Sequence, residues 1–101
     1  MRVLDHPDAA DVTIDDVLRA LADPVRRKIV RQLMTNRDAQ SCSCFALPVG
    51  KSTQTHHFRV LREAGIISQE YQGTSIMSSL RRDVIDERIP GLLDAILAAE
   101  D

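Results

Sequence analysis

From Lys51 the chain reads Lys-Ser-Thr-Gln-Thr-His-His-Phe-Arg-Val-Leu-Arg-Glu-Ala-Gly. Short hydroxyls and an amide come first, then two imidazoles, then guanidinium groups. Their chemistry is non-covalent. Hydroxyl, amide and imidazole groups donate to and accept from phosphate oxygens and base edges, and cations neutralise phosphate charge. Helical spacing puts Ser52, Thr55, His56 and Arg59 on one face, opposite Phe58 and Leu61. Main-chain N–H groups at the start of such a helix add anion contacts. Gln54 either reaches toward adenine, for which an amide is well shaped, or points to solvent. Arg59 and Arg62 read as phosphate clamps rather than base readers. His57 reads as a half-buried histidine that packs on a neighbouring helix or bonds to backbone.

A second constellation is Cys42-Ser43-Cys44. Paired thiolates suit soft ions such as As(III), Cd(II) or Zn(II). With only two cysteines in the chain, a three-thiolate site cannot form within one subunit. Zinc would have to recruit His56 or His57, in competition with the role of this helix in contacting DNA. A disulfide between residues two apart is poor, because the bridge needs Cα atoms about 4.4–6.8 Å apart and suitably oriented. Small buried hydrophobes, a metal or metalloid site and a redox pair all stay open, and no cofactor is required. An enzyme is not expected. The chain shows no paired carboxylates in an apolar setting, no Gly-rich phosphate loop, and no Ser or Cys beside a His with an orienting acid.

The elements that position these groups follow from punctuation and periodicity. Residues 1–12, with Pro7 and three Asp, read as a loose arm. Thr13 caps a first helix with Asp15 and Asp16 in its opening turn and Ile14, Val17, Leu18 and Leu21 at helical spacing. Asp23-Pro24 opens a second, with Val25, Ile29, Val30 and Leu33 as its apolar stripe. Residues 41–47 read as one or two helical turns capped by Ser41, and 48–50 as a tight turn. The helix 51–64 then has Gly50 or Ser52 as cap, Phe58, Leu61 and Ala64 inward, and Gly65 as its left-handed stop. Ile66, Ile67 and Tyr71, then Ile76, Met77 and Leu80, make a hairpin over 66–80 about Gln72-Gly73-Thr74. Beyond Asp83 the apolar period is helical again, and Pro90 either splits that segment near Arg88 or kinks it. The fold class is mainly α with a small β-hairpin, a winged helix-turn-helix in the order α-α-α-α-β-β-α. Residues 13–99 form one domain for DNA binding and dimerisation.

Bulk properties agree. A chain of 101 residues with no Trp, one Tyr and two Phe makes one small domain with an aliphatic core, burying about 60–65% of its unfolded surface. The last helical stripe is too rich for a monomer to cover, which points to a dimer. No stretch approaches a membrane span or a signal peptide, so a cytoplasmic protein is expected. The net charge is −2, yet residues 24–82 hold ten Lys/Arg against three acids, a net +7, and the two ends three Arg against twelve acids, a net −9. A basic centre between acidic ends suits a module that offers one face to phosphate.

Leu-Ala-Asp-Pro-x-Arg-Arg, the hydroxyl-rich helix with His-His, Leu-Arg-Glu-Ala-Gly and the Gly-centred wing, in this order, resemble the arsenic-repressor-like (ArsR/SmtB) family of bacterial winged-helix regulators. The resemblance covers about residues 13–99. It implies a homodimer joined through the first and last helices, here Ile14, Val17, Leu18, Leu92, Leu93, Ile96 and Leu97. It also implies a repressor of its own operon that sets helix 51–64 in the major groove of a palindromic operator in double-stranded DNA and lets go on a signal. Lys51, Ser52, Thr53, Thr55 and His56 match the family's DNA contacts, and Gln72, Gly73, Thr74 and Ser75 its wing tip. The family's arsenic sensors carry a Cys-x-Cys pair completed by a third cysteine, which this chain lacks. Its other metal site needs histidines on the last helix, and residues 81–101 contain none. The alternatives are a metalloid- or thiol-responsive repressor using Cys42 and Cys44, and a winged helix that binds protein instead of DNA.

Overall fold

Capping fixes where the first two helices begin in the computed structural model of the chain, which describes residues 4–36, 38–41 and 44–99. Thr13 accepts from the Asp16 N–H at 3.1 Å, opening α1 (Ile14–Leu21). The Asp23 carboxylate accepts from the N–H groups of Val25 and Arg26 at 2.8 and 3.2 Å, opening α2 (Pro24–Thr35) with proline at its first position. There Pro has no N–H to waste and its φ is already helical. The turn between the helices is so short that the arginines of α2 reach back to the end of α1. Arg26 Nε donates to the Ala20 carbonyl at 2.6 Å and Arg27 Nη1 to that of Leu21 at 2.7 Å. Both oxygens belong to a last turn that has no partners within its own helix.

After α2 the chain enters a two-residue strand, β1 (Gln40–Ser41), then runs to α3 (Lys51–Glu63) and a hairpin of β2 (Ile67–Gln72) and β3 (Ser75–Leu80). All pairings are antiparallel in the order β1-β3-β2, with Gln40 opposite Ser78 and Gln72 opposite Ser75. The hairpin loop is Gly73-Thr74, with Gly73 at φ +66°, so glycine holds the first loop position, where a type II′ turn needs positive φ. The helical turns expected over 41–47 are found only in part. Ser41 lies in a strand, Cys44 is in 3-10 helical conformation, residues 45–47 have no regular structure, and Cys42 and Ser43 lie outside the described residues. Gln32 holds this connection by donating Nε2 to Gln40 Oε1 and to the Cys44 carbonyl, at 2.6 and 3.0 Å.

Gly65 ends α3 in the left-handed region at φ +85°, with its N–H on the Arg62 carbonyl and that of Ile66 on the Leu61 carbonyl, both 3.0 Å. This is the Schellman arrangement, and its apolar pair, Leu61 with Ile66, is fully buried. Two helices close the chain, α4 (Arg82–Arg88) and α5 (Leu92–Ala98). Pro90 cannot donate the N–H that would continue α4, and Gly91 at φ +81° reverses direction. The helix is therefore split rather than kinked, and its second half begins at Leu92.

One core joins Val12, Val17, Ile29, Val30, Phe58, Leu61, Ile66, Ile67, Ile85 and Leu93. Phe45 meets Phe58 edge-on at 5.2 Å between ring centroids. Two corrections follow. Val17 and Leu93, expected at a dimer interface, are 0% exposed within this core and have no surface left to offer a partner. Residues 4–12 are not a loose arm. They contain a 3-10 turn, Ala9–Asp11, bury Val12, and lie against β2. Arg81 Nη1 holds the Pro7 carbonyl at 3.0 Å, and the Arg88 guanidinium holds that of Val12. Among the described residues no helix is long and apolar enough to cross a membrane.

Candidate nucleic-acid interface

The amphipathic spacing of α3 decides what it shows. His57, Phe58 and Leu61 are buried, while Lys51, Ser52, Thr53, Thr55, His56 and Arg59 are exposed and Gln54 is half-buried. Gly50, rather than Ser52, is the N-cap and supplies no side-chain hydrogen bond, and the first intrahelical bond runs from the Gln54 N–H to Gly50 O at 2.9 Å. The earlier N–H groups therefore point out of the helix start, where the dipole favours an anion. Thr55 Oγ1 donates to the Lys51 carbonyl at 3.0 Å, so outward it presents its lone pairs and its methyl.

The wing tip, Gln72, Gly73, Thr74 and Ser75, is wholly exposed. Between it and the start of α3 lies an open groove of about 520 Å³, lined by Lys51, Gln54, Thr55, Thr74, Ser75 and Ile76. The structure thus brings Lys51, Gln54 and Thr55 of the helix and Thr74 and Ser75 of the wing to one open groove, while Ser52, Thr53, His56 and Arg59 are exposed on the same helix.

Arg62 leaves the set. It is half-buried, with Nη1 donating to Gln69 Oε1 at 2.8 Å and Nε buried without a partner among the described residues. Its place one turn beyond Phe58 turns it toward the wing's inner side, where it braces the wing rather than standing exposed as Arg59 does. His57 sits where α3 crosses α2. Arginine can only donate, so the 3.2 Å contact from Arg26 Nη1 makes His57 Nδ1 the acceptor. Burial first, then the charges of Arg26 and His56, lower the His57 pKa below its ordinary value, against the opposing pull of Asp23. Burial of Asp23 would raise its pKa, but the N–H groups of Arg26 and Val25 and the Arg26 charge outweigh this and lower it.

Cys44 is exposed, with its sulfur 3.6 Å from Ser41 Oγ. The buried-hydrophobe reading is corrected for Cys44, while Cys42 lies outside the described residues. Among the described residues no three His, Cys, Asp or Glu side chains group to hold a metal ion.

Sequence reasoning missed the scaffold beneath the site. Arg26, Arg27, Arg31 and Arg81 of the basic centre, and Arg88 beyond it, all donate to main-chain carbonyls, so much of that centre serves the fold. Gln69 and Ser78 are buried and bonded to each other at 3.0 Å. The alternation in β2, with Ile67 inward, carried a signal for Gln69, which shares its face.

Residues 23–69 match the family described as "Bacterial regulatory protein, arsR family". The chain is 30% identical over 82 residues to the uncharacterized HTH-type transcriptional regulator YceK of Bacillus subtilis (strain 168), covering 79% of this chain and 82% of that protein. It is 29% identical over 83 residues to the transcriptional repressor SdpR of the same organism, covering 82% and 92%. Among solved structures, an ArsR-like transcriptional regulator from Rhodococcus sp. RHA1 superposes with a TM-score of 0.59 at 27% identity, covering 83% of this chain and 85% of that one. These relatives are transcriptional regulators and not enzymes. With an exposed hydroxyl-rich helix set beside a glycine-turned wing, the chain belongs to the ArsR family of winged helix-turn-helix, DNA-binding transcriptional regulators.

Proposed function

We propose that this regulator is a cytoplasmic homodimeric repressor of its own operon. Each subunit sets α3 in a major groove of a palindromic operator, with its wing against the adjacent backbone. The observation that carries this reading is the shared surface of α3 and wing. Ser52, Thr55 and His56 face outward for base edges, Lys51 and Arg59 for phosphates, and the wing tip lies across the groove. Dimerisation is supported by Ile14 and Leu18, 56% and 44% exposed on α1, and by the half-exposed Leu92, Ile96 and Leu97 of α5. Large apolar groups left in water on a small domain favour a partner.

Footprinting and titration against the protein's own upstream region test this. Two copies of Lys51 and Arg59 would neutralise four phosphates, giving a slope of log affinity against log salt of about −3 to −4. A flat salt response, or no protected palindrome upstream, would overturn it. Repression needs no cofactor in this reading, and release follows a signal. The exposed Cys44 thiol favours a second form of it, in which As(III), Cd(II), Zn(II) or an oxidant acting at Cys42 and Cys44 releases DNA. Arsenite, cadmium, zinc and peroxide added to the complex, with Cys44→Ser as control, decide between the two forms.

A further inference from the structure

Gln69, 3% exposed in the middle of β2, is bonded on four sides. Its Oε1 accepts from Arg62 Nη1 at 2.8 Å, and its Nε2 donates to Ser78 Oγ at 3.0 Å. Its backbone N–H donates to His6 Nε2 at 2.8 Å, and its carbonyl accepts from the Leu4 N–H at 3.2 Å. Because β2 is an outer strand of the sheet, those main-chain groups would otherwise face water or invite another strand. Residues 4–6 close that edge, with an imidazole nitrogen where a second strand would bring a carbonyl. One residue thus joins the N-terminal segment, through its main chain, to the wing and the DNA-facing helix, through its side chain.

We propose that His6, Arg62, Gln69 and Ser78 form one positioning unit for DNA recognition, in which His6 latches the N-terminal segment over the wing edge while Gln69 holds the wing at a fixed angle to α3. This rests on the DNA-binding reading above. The latch needs a lone pair on His6 Nε2, which the imidazolium lacks. Arg62 of α3 and Arg81, between β3 and α4, face the ring with like charge once it is protonated, and Asp5 on its own segment opposes them. Burial first, then these two arginines, holds the His6 pKa below its ordinary value, against the Leu4 backbone and Asp5. The unit is therefore closed at neutral pH and opens on acidification.

The test uses the full chain and the operator duplex mapped by footprinting, between about pH 7.5 and 5.5. His6→Gln supplies an acceptor that does not titrate, so the ratio of wild-type to variant affinity isolates the latch from every other titrating group. The expected result is that the Gln69 amide resonance titrates in wild type and not in His6→Gln, while the affinity ratio falls about tenfold, the equivalent of one lost hydrogen bond. Gln69→Leu lowers affinity at every pH with the helical circular dichroism retained. Gln69→Glu restores most of it, since Glu still accepts from Arg62 and the Ser78 hydroxyl can donate to it. A Gln69 resonance that does not move with pH overturns the latch. A resonance that titrates while the affinity ratio stays constant overturns its coupling to DNA. If neither wild type nor any variant binds DNA at any pH, the DNA-binding reading falls and takes this one with it, and the amide titration tells that failure from the others.

Discussion

At the scale of single residues, adjacent side chains on α3 have opposite duties, and mutation separates them. His56 and Thr55 are exposed, so His56→Ala and Thr55→Ala are expected to weaken operator binding by about 1–3 kcal/mol each, the range of a base contact, with melting temperature and dimer unchanged. Unfolding of either variant would assign that residue to the core. Arg59 is exposed, whereas Arg62 is bonded inward. Arg59→Ala should make the salt slope shallower by nearly two for a dimer. Arg62→Ala should instead lower thermal stability by about 1–3 kcal/mol by stranding Gln69 Oε1. His57 and His6 both have folded pKa values below 6.5. The unfolded chain then binds more protons below that value, so their contribution to stability is present above pH 6.5 and is lost as pH falls toward the folded values. Denaturant midpoints measured through this window should fall, and less so in His57→Gln.

Between elements, the junctions were legible where a cap or a stop sits in the local sequence. Thr13, Asp23-Pro24, Gly65 and the Gly73 turn are each where the residue types put them. Gly65 carries a double constraint, since a Cβ there would lie 2.5 Å from Val12 Cγ2 in addition to the positive φ. Gly65→Ala should cost about 1–2 kcal/mol for conformation alone and more for the clash, read as a drop in melting temperature. What was not legible depends on distant partners. Two residues make β1 a strand only because β3 lies beside them, and local periodicity cannot show that. The docking of residues 4–12 rests likewise on Gln69, Arg81 and Arg88, far along the chain. The outward face of α3 was readable because it repeats every 3.6 residues. The inward turn of Arg62 was not, because it depends on Gln69 across the helix-to-wing corner.

For the molecule as a whole, the proposed dimer is tested through the apolar residues left outside. Leu18→Asp is expected to give a folded monomer with sharply reduced operator affinity, because in the proposed reading one subunit would read only half a palindrome. Sedimentation and circular dichroism together check this, and a Leu18→Asp dimer would place the interface elsewhere. The arginines that grip carbonyl oxygens have a consequence for how such a protein would find its site. Because Arg26, Arg27, Arg31, Arg81 and Arg88 are tied to main chain, fewer loose cations remain among the described residues to cling to arbitrary duplex. Non-cognate sequence would then hold it only briefly, and residence time on chromosomal DNA would be dictated by hydroxyl and imidazole groups that discriminate between bases.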